Sequence, residues 1–170
     1  FRKNNLEIDW VIITNNQNAR VLKRSKELKV PYLIFNKQQF NDGSVLSVFE
    51  EIKPSLIILA GFLLKISENI LEKFSNKIIN IHPSLLPKFG GKGMYGMNVH
   101  NKVIKNFEKE SGITIHFVNK NYDEGKIIFQ KKIAIEYPCS SENLAKKIHK
   151  LEMHFFPLII EKLIKSFDYE

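Results

Sequence analysis

Apolar residues along this chain fall into short solid blocks separated by stretches of helical spacing. Trp10-Val11-Ile12-Ile13, Tyr32-Leu33-Ile34-Phe35, Leu56-Ile57-Ile58-Leu59 and Ile78-Ile79-Asn80-Ile81 have the length and β-branched content of strands. Between them the spacing predicts helices over about 19–28, over 44–52 with Leu46, Phe49 and Ile52 on one face, and from Ser67 as N-cap with Ile70, Leu71 and Phe74 inward. The alternation of strand and helix predicts a mostly parallel, helix-covered sheet, an α/β fold of Rossmann-like type. The Leu56–Leu59 block is the strongest buried-strand signal.

The pattern changes after Ile81. A helix over about 98–107 carries Val99, Val103, Ile104 and Phe107. Residues 113–118 then alternate, with Ile113, Ile115 and Phe117 on one face and Thr114, His116 and Val118 on the other. Residues 127–135 form a second long strand, separated from the first only by the turn Asp123-Glu124-Gly125. With no helix between them these two strands are expected to pair antiparallel. Ser140-Ser141-Glu142 opens a last helix that turns Leu144, Ile148 and Leu151 inward, and Pro157 is expected to kink or interrupt it.

At 170 residues the chain suits one domain with a proper core. Cys139 is its single cysteine, which excludes an internal disulfide and a Cys-based metal site. It sits in a Pro-Cys-Ser-Ser loop, a poor setting for a nucleophile. The net charge of +8 raises a nucleic-acid reading, but the lysines are scattered among glutamates and only three arginines occur. An anionic small substrate would profit from the same field. The longest apolar run, Leu56 to Leu64, is far below the roughly 18 residues of a membrane span. The opening Phe1-Arg2-Lys3-Asn4-Asn5 is polar, so a cytoplasmic protein without membrane or nucleic-acid partners is expected.

Candidate chemistry lies where polar residues interrupt the pattern. Asn80 breaks an apolar strand and needs a hydrogen-bond partner if buried. His82 follows where the strand leaves the sheet, and Pro83 holds it extended. An amide and an imidazole thus share a strand end, the edge where open α/β sheets bind ligands. A structural histidine would look the same, and Asp123 reads equally as an ordinary turn aspartate. Gly90-Gly91-Lys92-Gly93-Met94-Tyr95-Gly96 is either an anion cradle or a flexible flap, and it fits neither common phosphate-loop pattern.

Asn80-Ile81-His82-Pro83-Ser84-Leu85-Leu86-Pro87-Lys88-Phe89, with His116-Phe117-Val118 and a downstream Asp-x-Gly at Asp123, resembles the folate-dependent formyltransferases from about Val11 to about Ile160. The resemblance implies formyl transfer from 10-formyltetrahydrofolate, as co-substrate and without a metal, to the amine of glycinamide ribonucleotide in purine biosynthesis. It implies a catalytic trio of Asn80, His82 and Asp123, supported by His116. Folate is expected against Leu63, Leu64, Lys65, Ile66 and Asn80 and the loop Asn119, Lys120, Asn121, Tyr122 and Asp123. The ribonucleotide is expected at His149, Lys150, Leu151 and Glu152. Monomer and homodimer remain open.

The family's glycine-rich phosphate loop after a first strand does not precede Phe1. The resemblance therefore implies one catalytic domain over 1–170 lacking about 20 residues of an initial βαβ unit. The loop after Phe89 also has no histidine before His100. Alternatives are hydrolysis of formyltetrahydrofolate, transfer to methionyl-tRNA, which would need an RNA-binding domain after the last helix, and a non-catalytic basic binding module.

Overall fold

The structure is a computed structural model, and it describes residues 7–167. The polar opening stretch lies outside them. The chain makes two compact units, one ending at Pro54 and one beginning at Ser55.

In the first unit β1 (Ile12–Thr14) and β2 (Tyr32–Ile34) pair in parallel, joined through α1 (Arg20–Leu28). Leu22 and Ser25 are the buried positions of α1. Lys29 turns left-handed at φ 55° and ends the helix before Pro31. α2 (Ser44–Ile52) buries Val45 and Phe49. Phe49 matches the predicted face, whereas Ile52 stays exposed.

The second unit carries a four-stranded sheet in the order β3 (Ile57–Leu59), β4 (Ile78–His82), β5 (Glu110–Phe117), β6 (Ile127–Ala134). β3 and β4 are parallel, and β5 runs antiparallel to both β4 and β6. The antiparallel pair read from the missing helix is therefore present, and it extends to β4. β3 is only half-buried, despite the strongest apolar run, because it is the terminal strand of this sheet. Burial peaks on β4 and β5, where Ile78, Ile79, Ile113 and Ile115 are at most 1% exposed.

α4 (Met97–Lys105) and α5 (Ser141–Phe167) pack on each other and on this sheet. Val99, Val103, Ile113, Leu144 and Ile148 form one buried cluster. Leu151 packs on that cluster. Ser67 stands at the N-cap of α3 (Glu68–Lys73), but its side chain makes no cap hydrogen bond. α5 runs through Pro157 without the expected interruption. A proline removes one helical donor, and the remaining helical bonds and packing carry the helix past it.

Candidate active site

The pairing of β4 with β5 assembles the site. In its register Asn80 stands opposite His116, and His82 opposite Thr114. The half-buried Asn80 amide finds the partner it needs across the strands, with Nδ2 3.2 Å from His116 Nε2. His116 Nδ1 lies 2.9 Å from the Phe117 carbonyl. A carbonyl only accepts, so Nδ1 carries a hydrogen. Gly125 makes this possible, since a Cβ there would collide with the Phe117 carbonyl.

His82 is held in the same way. Its Nε2–H donates to the Phe89 carbonyl at 2.8 Å, and its Nδ1 faces Asp123 Oδ2 at 3.4 Å. Asp123 Oδ1 lies 3.6 Å from His116 Nε2. One carboxylate thus stands between two buried imidazoles. Asp123 adopts φ 58°, a left-handed conformation that aspartate tolerates better than most residues, and Oδ2 accepts the Gly91 N–H at 2.9 Å.

The loop that follows His82 is tied down by hydroxyls. Thr114 Oγ1 donates to the Ser84 carbonyl (2.7 Å) and accepts from the Leu86 N–H (3.0 Å) and Gln130 Nε2 (2.9 Å). Ser84 Oγ donates to the Lys88 carbonyl at 2.7 Å. Thr114 and Ser84 are fully buried, so each bond closes a polar group that would otherwise be costly.

Asp123 and its two histidines border a cleft of about 930 Å³. Leu63, Leu64, Lys65 and Ile66 line it, as do all five residues from Asn119 to Asp123. Asn80, His82 and His116 line it too. From α5 it receives His149 and Glu152, whose side chains meet at 3.2 Å. Two expected substrate residues fall elsewhere. Lys150 is exposed off the cleft, and Leu151 belongs to the core. Helical geometry explains this, because positions 149 and 152 share a face while 150 and 151 turn away.

Sequence reasoning missed three features. His100 of α4 lines the cleft at 6% exposure, and its Nδ1 makes no hydrogen bond among the described residues. The Phe89 carbonyl and Gly91 N–H that hold His82 and Asp123 are backbone groups. They leave no residue signature beyond the glycine itself.

A carboxylate neighbour predicts a raised His82 pKa, but burial pushes it down, more than Asp123 and the Phe89 carbonyl raise it, and it lies below the ordinary 6.5. Burial and the charge of His82 also lower His100. For Asp123 burial acts upward, yet His116, His82 and the Gly91 N–H together hold the carboxyl below its ordinary 3.8. At neutral pH the site is therefore a carboxylate facing a neutral His82.

A polar strand end and two imidazoles around a carboxylate open on a cleft large enough for a small-molecule ligand, which defines a candidate enzyme site on an α/β scaffold. The model of the formyl transferase family matches residues 1–160, and the chain belongs to that family. It is 34% identical over 165 residues to the chloroplastic phosphoribosylglycinamide formyltransferase of Arabidopsis thaliana, covering 91% of this chain and 56% of that one. With the phosphoribosylglycinamide formyltransferase of Haemophilus influenzae identity is 32% over 155 residues, 88% of this chain and 71% of that one. The chain spans about half the length of the plant relatives it matches. The crystal structure of phosphoribosylglycinamide formyltransferase from Anaplasma phagocytophilum superimposes with a TM-score of 0.81 at 30% identity, covering 91% of this chain and 72% of that chain. Among the described residues no helix is long and apolar enough to cross a membrane.

Proposed function

We propose that this chain transfers the formyl group of 10-formyltetrahydrofolate to the amine of glycinamide ribonucleotide. The observation that carries the reading is the convergence of Asn80, His82 and Asp123 on one cleft. Its volume of about 930 Å³ suits a ligand of folate size. Leu63, Leu64 and Ile66 offer apolar surface to a pteridine ring, and His149 and Glu152 offer polar contacts to a sugar or amine.

The reaction forms a bond from the amine nitrogen to the formyl carbon and breaks the bond from that carbon to the folate nitrogen. One proton leaves the amine and one arrives on the folate nitrogen, with no change of oxidation state. Asn80 Nδ2 has two hydrogens; one meets His116 and the other is available to the developing oxyanion. His82 Nε2–H is committed to Phe89, so Nδ1, beside Asp123, is the nitrogen that exchanges a proton. Asp123 stabilises the imidazolium that this exchange creates.

The test is to incubate the purified protein with both substrates and follow formylated ribonucleotide by mass spectrometry. His82→Ala should lower turnover by roughly a hundredfold or more while folate binding changes little. Formate released at the same rate without the amine would overturn the transfer reading in favour of hydrolysis.

A further inference from the structure

The glycine-rich stretch after Phe89 has no role in the mechanism above, yet its first two residues touch the one group that faces both histidines. Gly90 lies so close to Asp123 that a Cβ at position 90 would stand 3.1 Å from Asp123 Cβ and 3.7 Å from Oδ2. The same Cβ would stand 2.5 Å from Leu86 Cδ2. Leu86 is buried at 6% exposure, so it has little room to turn away. The backbone of Gly90 is not left-handed, so glycine is required here by space rather than by conformation. Gly91 then directs its N–H to Asp123 Oδ2 at 2.9 Å. The oxygen it holds is the one that faces His82 Nδ1.

We propose that Gly90 and Gly91 are positioning residues for Asp123: the absent Cβ leaves room for the Asp123 side chain at its Cβ beside Leu86, and the Gly91 N–H fixes which oxygen faces His82. Contact between carboxylate and ring at 3.4 Å is sensitive to a displacement of a few tenths of an ångström. The charged and titratable groups acting on this pair are Asp123 from the loop after β5, His82 from β4, His116 from β5, His100 from α4 and Glu152 from α5. None of the other four reaches Asp123 Oδ2 as a neutral N–H donor at all pH values. The backbone amide does.

The proposal rests on the formyl-transfer reading for its kinetic arm only. Gly90→Ala is compared with wild type in the intact protein by NMR titration of the His82 ring and by steady-state kinetics. With Asp123 displaced, His82 should titrate at lower pH, kcat should fall about tenfold to a hundredfold, and KM for folate should stay within about twofold. A variant with a lower Tm but unchanged His82 titration and kcat would overturn the proposal, leaving Gly90 a packing residue. Where the variant does not fold, the wild-type Gly91 amide decides. Its proton resonance should follow the ionisation of Asp123 and His82, and an amide blind to pH would overturn the proposal. The titration uses no substrate, so absent formyl transfer beside a shifted titration sinks the function and spares the inference.

Discussion

Two consecutive stretches follow β4, and they are held in opposite ways. Residues 83–88 are anchored by buried hydroxyls, with Thr114 making three hydrogen bonds and Ser84 closing onto Lys88. Residues 90–96 carry four glycines, three of them at positive φ, and a Cβ at Gly91, Gly93 or Gly96 would meet nothing within 4 Å. They meet the site through the Gly91 N–H on Asp123. The first stretch leads from His82 to the Phe89 carbonyl that holds its ring, whereas the second borders the cleft with Tyr95 exposed. Rigid support of reacting groups beside an adaptable wall is what tight placement and substrate entry together require.

Removing the charge at the junction tests both stretches at once. Asp123→Asn keeps the shape, and an amide oxygen still accepts from Gly91. His82 loses its largest raising influence and should titrate at still lower pH, with turnover at neutral pH falling roughly a hundredfold. The sign for stability follows from the lowered pKa. A His82 that resists protonation when folded leaves stability intact above 6.5 and drains it as pH falls below that value. Asp123, also lowered, adds a contribution that is present above its ordinary 3.8 and lost at more acid pH. Thermal melts between pH 7 and pH 4 check this: wild type should lose stability on acidification, with Asp123→Asn losing more through the His82 window. Equal His82 titrations in the two proteins would mean that Asp123 is only a turn residue.

The same contrast explains what could be read from the sequence. Asn80 and His82 stood out because polar residues interrupted an apolar strand, and the spacing of residues 113–118 put His116 on the face of Thr114. The antiparallel end followed from where helical spacing stopped. The depression of His82 was not legible, because burial depends on which strands cover it. Nor was the division of α5, where Glu152 lines the cleft and Leu151 enters the core, until the helix phase was known. The Phe89 carbonyl and Gly91 N–H belong to every residue type and carry no chemical signature. The resemblance to formyltransferases supplied Asp123, which its turn setting alone left undecided.

Thr114→Val probes the anchored stretch directly. Valine keeps the volume and removes the oxygen, leaving the Leu86 N–H without its buried acceptor and the Ser84 carbonyl and Gln130 amide each one partner short. The cost should be about 1–3 kcal/mol in chemical denaturation. The loop should also drift, so turnover should fall by about tenfold without a change in the His82 titration as large as that of Asp123→Asn. Thr114→Ser, which retains the hydroxyl, should recover most of both losses. A valine variant of wild-type stability would mean that the loop is held by its prolines and apolar contacts instead.

The smallest effect expected comes from Lys88, at the end of the anchored stretch. Its Nζ meets both carboxylate oxygens of Glu108, at 3.1 and 3.0 Å, which makes it look like a strap across the loop. The lysine side chain is 66% exposed, however, and ion pairs in solvent gain little and are screened by salt. What the loop uses from Lys88 is its backbone carbonyl, the acceptor of Ser84 Oγ, and any side chain supplies that. Lys88→Ala should therefore change stability by no more than about 1 kcal/mol, leave formyl transfer within about twofold of wild type, and show even less effect at 0.5 M salt than at low salt. Ser84→Ala, measured alongside, removes the buried bond and should cost more. If the lysine variant proved the more damaging of the two, surface charge rather than the buried hydroxyls would be what holds the loop under His82.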